Sequence, residues 1–378
     1  MKKRNKNRIN KKNAGIILGL SCVILVICIT IIVKLTGNKK EPQQEVYYFD
    51  EETSSEVVSE EAGSKEDNEP STDLEQETTE AETIEYPEPD YDFTTEEVTI
   101  ALEGLEKEYT IAWVSDLHLV SDDKAGEEMG DVHGEYLDAI NKRYEELPVT
   151  KDGVHAKDLW PEIVKYLNYN DFDGIIFGGD MMDYCSNSNI SIIKEGLDSL
   201  HVPYMYIRAD HDYGNYYGGV FFTEEEARKL HQAIDGDEIS HKFWDMGEFI
   251  VLGIDNSTKD MPDYYLNMVE DVYSRGKPVI MATHVPYESK VDTSLAELSM
   301  KVRNTIYYWS DDSDHYVPND VTRKYLDLIY SDDTVVKQVL AGHLHASWDG
   351  MITEELPQHI FAPAFKGNIG IIHIVPEE

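Results

Sequence analysis

Gly174-Ile-Ile-Phe-Gly-Gly-Asp-Met-Met-Asp183 is the stretch on which the fold turns. Its apolar run is too short for a helix and stops on two glycines, so it reads as a buried strand whose backbone turns tightly beside Asp180. The same device recurs outward in both directions. Tyr109 to Val114 ends before Asp116-Leu117-His118, and Val202 to Ile207 ends before Arg208-Ala209-Asp210-His211-Asp212. Further on, Pro278 to Ala282 leads into Thr283-His284, and Val335 to Leu340 leads into Gly342-His343-Leu344-His345. Helical patterns lie between these strands, at Trp160 to Tyr169 with Pro161 in its first turn, and at Thr223 to Ile234 with Thr223 as cap and Glu226 three residues on. His241 to Trp244 and Phe249 to Ile254 read as a hairpin. Strands alternating with helices make an open α/β architecture, and each polar block sits on the loop at a strand's carboxyl end, where such folds build their sites.

Seven of these side chains are of types that can ligate metal: Asp116, His118, Asp180, Asp210, His284, His343 and His345. A carboxylate has two oxygens and can hold two cations about 3.5–4 Å apart, while neutral imidazoles limit the accumulated negative charge. Delivered from strand ends in this order, the set can ligate two divalent or mixed-valence ions that share one carboxylate. That arrangement suits the splitting of a phosphate ester. Mixed oxygen and nitrogen donors suit manganese, iron or zinc. The histidines outside the pattern, among them His133, His155, His315 and His359, read as ordinary loop or surface residues.

From about Val98 to the C-terminus the blocks resemble those of the calcineurin-like metallophosphoesterase superfamily, whose pattern is D-x-H, G-D, G-N-H-D/E, an isolated H, and G-H-x-H. The resemblance implies a four-layer αββα sandwich of two mixed sheets flanked by helices, with a dinuclear site at one edge. It implies that Asp116, His118 and His345 hold one metal, that His284 and His343 with Asp210 hold the other, and that Asp180 bridges them. A shared hydroxide is then the nucleophile. His211 is implied to protonate the leaving oxygen, with Asp183 as the carboxylate that holds and charges its ring and Asp212 as the next choice.

Two positions depart from the family pattern. Ala209-Asp210 stands where the family has Gly-Asn, so three carboxylates against two divalent ions and one hydroxide leave a formal charge of about zero, where asparagine leaves about plus one. Such a site favours a monoanionic diester over a dianionic monoester. Asp183 is followed by Tyr184-Cys185 rather than the Arg-Gly of protein serine/threonine phosphatases, which removes a phosphate clamp. Arg208 is the candidate substitute, with a structural ion pair as its other reading.

The first quarter of the chain is of a different kind. Residues 1–13 are a basic head and residues 14–33 an uninterrupted apolar run, which at about 1.5 Å per residue spans a bilayer core. The run is longer than a cleaved signal's core, and the heavier positive charge before it keeps the head in the cytoplasm, so it reads as a retained single-pass anchor. Residues 34–97 are rich in Glu, Asp, Ser, Thr and Pro and read as a disordered acidic tether, leaving 98–378 as an extracellular catalytic domain. The net charge of −41 and the absence of a basic patch after Lys40 argue against a nucleic-acid binder. Cys22 and Cys28 lie in the apolar run and Cys185 stands alone in the domain, so no disulfide forms within it.

The expected function is phosphoester hydrolysis outside the membrane, of a small molecule or of a lipid- or wall-linked phosphate. The rival readings are a catalytically impaired surface protein that binds metal and a phosphorylated ligand, and a stalked adhesin without metal. Two insertions flank the blocks, an acidic and helical one from Asp122 to Glu146 and an aromatic one from Tyr287 to Pro318 that holds Tyr307, Tyr308, Trp309 and His315. They are the candidate substrate contacts.

Overall fold

The computed structural model describes residues 86–121, 149–215, 220–221, 234, 241–257 and 263–377. They belong to a compact unit, Glu80–Glu378; a second unit, Met1–Thr79, holds the basic head, the apolar run and most of the acidic segment and lies outside the described residues. So do the first insertion from Asp122 and all but the last residue of the helix expected at 223–234. Among the described residues no helix is long and apolar enough to cross a membrane.

In chain order the elements are β1 (Thr94–Leu102), β2 (Tyr109–Val114), α1 (Ala156–Tyr169), β3 (Gly174–Gly178), α2 (Asn187–Asp198), β4 (Tyr204–Ile207), the single turn α3 (Asp210–Tyr213), β5 (Gly214–Asn215), β6 (Val220–Phe221), β7 (His241–Asp245) and β8 (Ile250–Ile254). Then come α4 (Asp263–Ser274), β9 (Val279–Thr283), α5 (Ser294–Arg303), α6 (Asp320–Tyr330), β10 (Val336–Ala341), β11 (Trp348–Met351), β12 (Pro357–Ile360) and β13 (Asn368–Pro376). One sheet has the order β1-β13-β2-β3-β4 and the other β11-β12-β10-β9-β8-β7, and both mix parallel with antiparallel pairs.

Period-two alternation places the layers. In β2, Tyr109, Ile111 and Trp113 face the cluster shared by the two sheets, while Ala112 and Val114 face the helices. Val251 of β8, Ile280 and Ala282 of β9 and Leu340 of β10 meet that shared cluster from the other sheet. Leu159, Trp160, Ile163 and Leu167 of α1 with Ile190, Ile193 and Leu197 of α2 cover the outside of the first sheet. Val269 and Val272 of α4 with Tyr325 and Ile329 of α6 cover the second. The result is the four-layer αββα sandwich.

Two expectations are corrected. β1 starts at Thr94, so the linker boundary at residue 97 falls inside a strand, and the chain before it is already packed: Tyr86 stacks on His201 and Phe93 meets Tyr166 edge to face. Thr94-Thr-Glu-Glu looks like linker because β1 is an edge strand with mostly exposed side chains, held by parallel pairing to β13 from Thr94↔Asn368 onward. Helix α1 begins at Ala156, which puts Pro161 in its second turn, where its missing N–H forfeits one helical bond.

Candidate metal centre

Every block emerges from a strand's carboxyl end: Asp116 two residues after β2, Asp180 two after β3, Asp210 three after β4, His284 directly after β9, and His343 two after β10. The first sheet contributes the aspartates and His118, the second the remaining imidazoles. The loops are zipped together by backbone bonds, Asp116 N–H to Gly179 O and His118 N–H to Asp180 O, both 2.9 Å, and Gly342 N–H to His284 O at 3.0 Å.

Backbone conformation sets this region apart. Six non-glycine residues among those described have positive φ, and five of them are Asp116 (53°), His118 (47°), Asp180 (52°), His343 (72°) and His345 (57°). Each left-handed residue costs about 1–2 kcal/mol, so the surrounding structure has to enforce it, a pattern typical of sites rather than of ordinary loops. Two glycines let the loops close in. A Cβ on Gly342 would lie 2.4 Å from Asp116 Oδ2, and one on Gly179, at φ +93°, would lie 2.7 Å from His284 Nδ1.

The ligand atoms fall into two groups with one common member. Asp116, His118, Asp180 and His345 form the first, and Asp180, Asp210, His284 and His343 the second; within each group the atoms all lie within 4.8 Å of one another. Second-layer acceptors fix the tautomers. His284 Nδ1 is 2.8 Å from the carbonyl of Gly178, which can only accept, so Nδ1 carries a proton and Nε2 is the atom that faces Asp180 Oδ2, at 3.2 Å. His118 Nδ1 donates to Asp183 Oδ1 at 2.9 Å, leaving Nε2 2.9 Å from His345 Nε2 and 3.6 Å from Asp180 Oδ2.

The donor set fits a pair of divalent cations. Imidazole nitrogens face one another at 2.9 Å between His118 and His345 and at 3.1 Å between His284 and His343, although lone pairs at that range repel unless a cation or proton lies between them. Asp210 Oδ1 is buried and has no hydrogen-bond partner. Burial and the neighbouring Asp180 push the Asp210 carboxyl up. Burial holds His345 down at about 4, which leaves its ring neutral as a ligand requires.

His211 is 17% exposed in its side chain and lies at the edge of the first group, its ring 4.7 Å from that of His118. Its Nδ1 donates to the carbonyl oxygen of Asp183 at 2.7 Å, which leaves Nε2 as the atom for proton transfer. Burial lowers its pKa, but the carboxylates of Asp180, Asp210 and Asp183 outweigh that and carry it to about 9. Asp183, the expected partner, holds the ring through its carbonyl and has Oδ1 3.7 Å from His211 Nδ1, while that same carboxylate makes its shorter bond to His118. Asp212, the next choice, turns inward and accepts from the backbone N–H groups of Asp180, Met182 and Ala209 at 3.0–3.1 Å.

The expectation for Arg208 is corrected. It is 1% exposed, with its NH1 3.6 Å from Asp255 Oδ2, and its backbone N–H donates to Asp255 Oδ1 at 2.7 Å. It is a buried structural ion pair. In the second insertion, Trp309 is core, donating Nε1–H to Asn256 O, whereas Tyr307 stacks on His343 at 4.4 Å. Reading the blocks alone misses Arg303, which donates to the carbonyl of His343, and Lys366, which donates to the carbonyl of His345 at 3.1 Å. Neither sits in a recognisable pattern; only Arg303's place in an insertion beside the blocks pointed to it. Cys185 is buried, and burial pushes its thiol up to about 12.

Residues 109–347 match the profile of the calcineurin-like phosphoesterase family. No curated protein matches the chain in sequence. Among solved structures, a dimetal phosphatase from Danio rerio is 10% identical, covering 68% of this chain and 88% of its own, with a TM-score of 0.42. Purple acid phosphatase PPD1 from yellow lupin seeds is 12% identical, covering 72% of this chain and 45% of its own, at 0.36. GAP50, the anchor in the inner membrane complex of Plasmodium, is 9% identical, covering 68% and 71%, at 0.34.

Proposed function

The chain belongs to the calcineurin-like phosphoesterase family, and from that premise we propose that this metallophosphoesterase is a two-metal phosphodiesterase acting outside the cytoplasmic membrane. The observation that carries the reading is the sharing of Asp180 between two groups of ligand atoms. Asp116, His118, Asp180 and His345 would hold one cation and Asp180, Asp210, His284 and His343 the other, drawn from manganese, iron or zinc. When bound, such a pair supplies positive charge for the phosphoryl oxygens and lowers the pKa of the attacking water.

The rest of the work falls to the chain itself. Gly178 O and the Asp183 carboxylate lock the His284 and His118 rings so that their Nε2 atoms converge. Ser115 Oγ–H and the backbone N–H of His343 bond the Asp116 carboxylate at 2.7 and 3.0 Å, holding it in place. His211, anchored through Nδ1 and open to solvent on its other side, gives its Nε2 proton to the leaving oxygen.

Preference for a diester follows from the third carboxylate, Asp210, which brings the formal charge of the loaded site to about zero and so weakens its attraction for a dianion. Placement outside the membrane rests on the apolar run at residues 14–33 and the basic residues before it, which suit a single-pass anchor and a substrate such as a lipid- or wall-linked phosphodiester. The test compares bis- and mono-(para-nitrophenyl) phosphate as substrates of the manganese-loaded wild type and of Asp210→Asn. The wild type should prefer the diester, and D210N should shift toward the monoester. An unshifted preference overturns the charge argument, and a wild type that hydrolyses neither ester overturns the reading itself.

A further inference from the structure

The chain is strongly acidic, and its described arginines are mostly neutralised: Arg208 pairs with Asp255, Arg275 with Asp271 and Arg323 with Asp311. Arg303 is the exception, with no carboxylate partner among the described residues. It ends α5, where Asn304 caps the helix in the left-handed conformation at φ 60°. From there its guanidinium donates to the His343 carbonyl and lies 5.3 Å over the Tyr307 ring, which itself stacks on His343 at 4.4 Å. Its Nε is buried and has no hydrogen-bond partner.

Lys366 approaches the same loop from another segment, just before β13. Its ammonium donates to the His345 carbonyl at 3.1 Å and also has no carboxylate partner among the described residues. Burial lowers its pKa, and so does Arg303, which is therefore close enough to be felt electrostatically. Two cations thus grip the Gly342-His343-Leu344-His345 turn, one at each ligand histidine, and each keeps further N–H donors after making that bond.

We propose that Arg303 and Lys366 form an anion-binding subsite on the rim of the metal centre, which receives a second negatively charged group of the phosphoester substrate. The proposal rests on the phosphoesterase reading above. Three aspartates already balance the loaded site, and the field of a −41 chain repels polyanions, so extra negative charge on a substrate needs cations of its own. A guanidinium and an ammonium free of carboxylates supply them beside the reacting centre, without adding to the charge on the metals. Loop geometry alone does not require two cations here, since a carbonyl in a turn is satisfied by any neutral donor.

The test uses two substrates with the same reacting ester, the para-nitrophenyl ester of thymidine 5′-phosphate with and without a 3′-phosphate. The ratio of their kcat/KM values is measured within each protein, for the manganese-loaded full chain, Arg303→Met, Arg303→Lys and Lys366→Met. The wild type should favour the doubly charged substrate about tenfold, mostly through KM, with R303M and K366M bringing the ratio close to one and R303K keeping part of it. Damage to the His343–His345 turn lowers both substrates together and leaves the ratio alone. Calorimetric binding of thymidine 3′,5′-bisphosphate against the 5′-monophosphate should show the same ratio. Equal use and equal binding of the two by the wild type overturn the subsite while leaving the hydrolase standing. Hydrolysis of neither overturns the hydrolase, and the calorimetric ratio then decides the subsite.

Discussion

The carboxylate of Asp183 lies 2.9 Å from His118 Nδ1, so the residue that helps to charge the proton donor also braces a metal ligand. Its backbone carbonyl is what meets His211, at 2.7 Å. One residue therefore serves both machines through different atoms, and substitution of its side chain should separate them. Asp183→Asn should weaken metal binding by about 10–100-fold, the usual effect of removing a bracing carboxylate, because His118 loses its fixed tautomer. Titration with manganese followed by elemental analysis measures this. Unchanged metal affinity with lost turnover would place the effect on His211.

The converse holds for His211→Ala. Since the His211 ring is held by the Asp183 carbonyl and belongs to neither of the two groups that share Asp180, metal content should be retained. Turnover should fall by about 10²–10⁴-fold, the range for a lost general acid. The loss should be smaller for an ester whose leaving group is already a weak base, so the test compares para-nitrophenyl with alkyl esters. Equal losses on both would remove the proton-donor role.

What the sequence revealed and what it hid have one physical origin. A metal ligand must be an Asp or His at the end of its strand, so the blocks from Asp116 to His345 announce themselves over a few residues. The partners of those ligands carry no such restriction. Gly178 holds His284 through a carbonyl, which every residue has, and Arg303 reaches His343 from 40 residues away. β1 was hidden for a related reason: its stability comes from a ladder with β13, more than 270 residues further on, while its own side chains are half exposed. The left-handed φ values at five ligand positions were also invisible, since Asp and His are not glycine and only the closed loops force them.

Those closed loops leave Gly179 no room for a side chain. An added methyl meets His284 Nδ1 at 2.7 Å and the Ala209 Cβ at 2.8 Å, and the φ of +93° suits glycine alone. Gly179→Ala should lower stability by about 1–3 kcal/mol and displace His284 from the second group. Thermal unfolding with and without manganese reads both effects. Metal should raise the midpoint of the wild type markedly and that of G179A hardly at all; equal increments would show that the loop yields without moving the ring.

Away from the metals, Glu96 ties the edge strand to the second sheet. Its Oε1 accepts from His359 Nε2 at 3.0 Å and from the Ser347 hydroxyl, and its Oε2 from the Ala362 N–H at 3.1 Å. Burial raises its pKa, but these hydrogen bonds outweigh it and set the folded value below the ordinary 4.5. A carboxyl whose pKa is depressed in the folded state contributes stability that is fully present above the unfolded value and is lost as pH falls through the folded one. Glu96→Gln should therefore cost about 1–3 kcal/mol at neutral pH, by loss of charged hydrogen bonds, and that cost should shrink below pH ~4 as the wild type protonates. Urea midpoints of the two proteins measured across this range give the difference directly, and terms from metal release cancel between them. A difference that stays constant down to pH ~3 would mean that Glu96 contributes through packing and not through its charge.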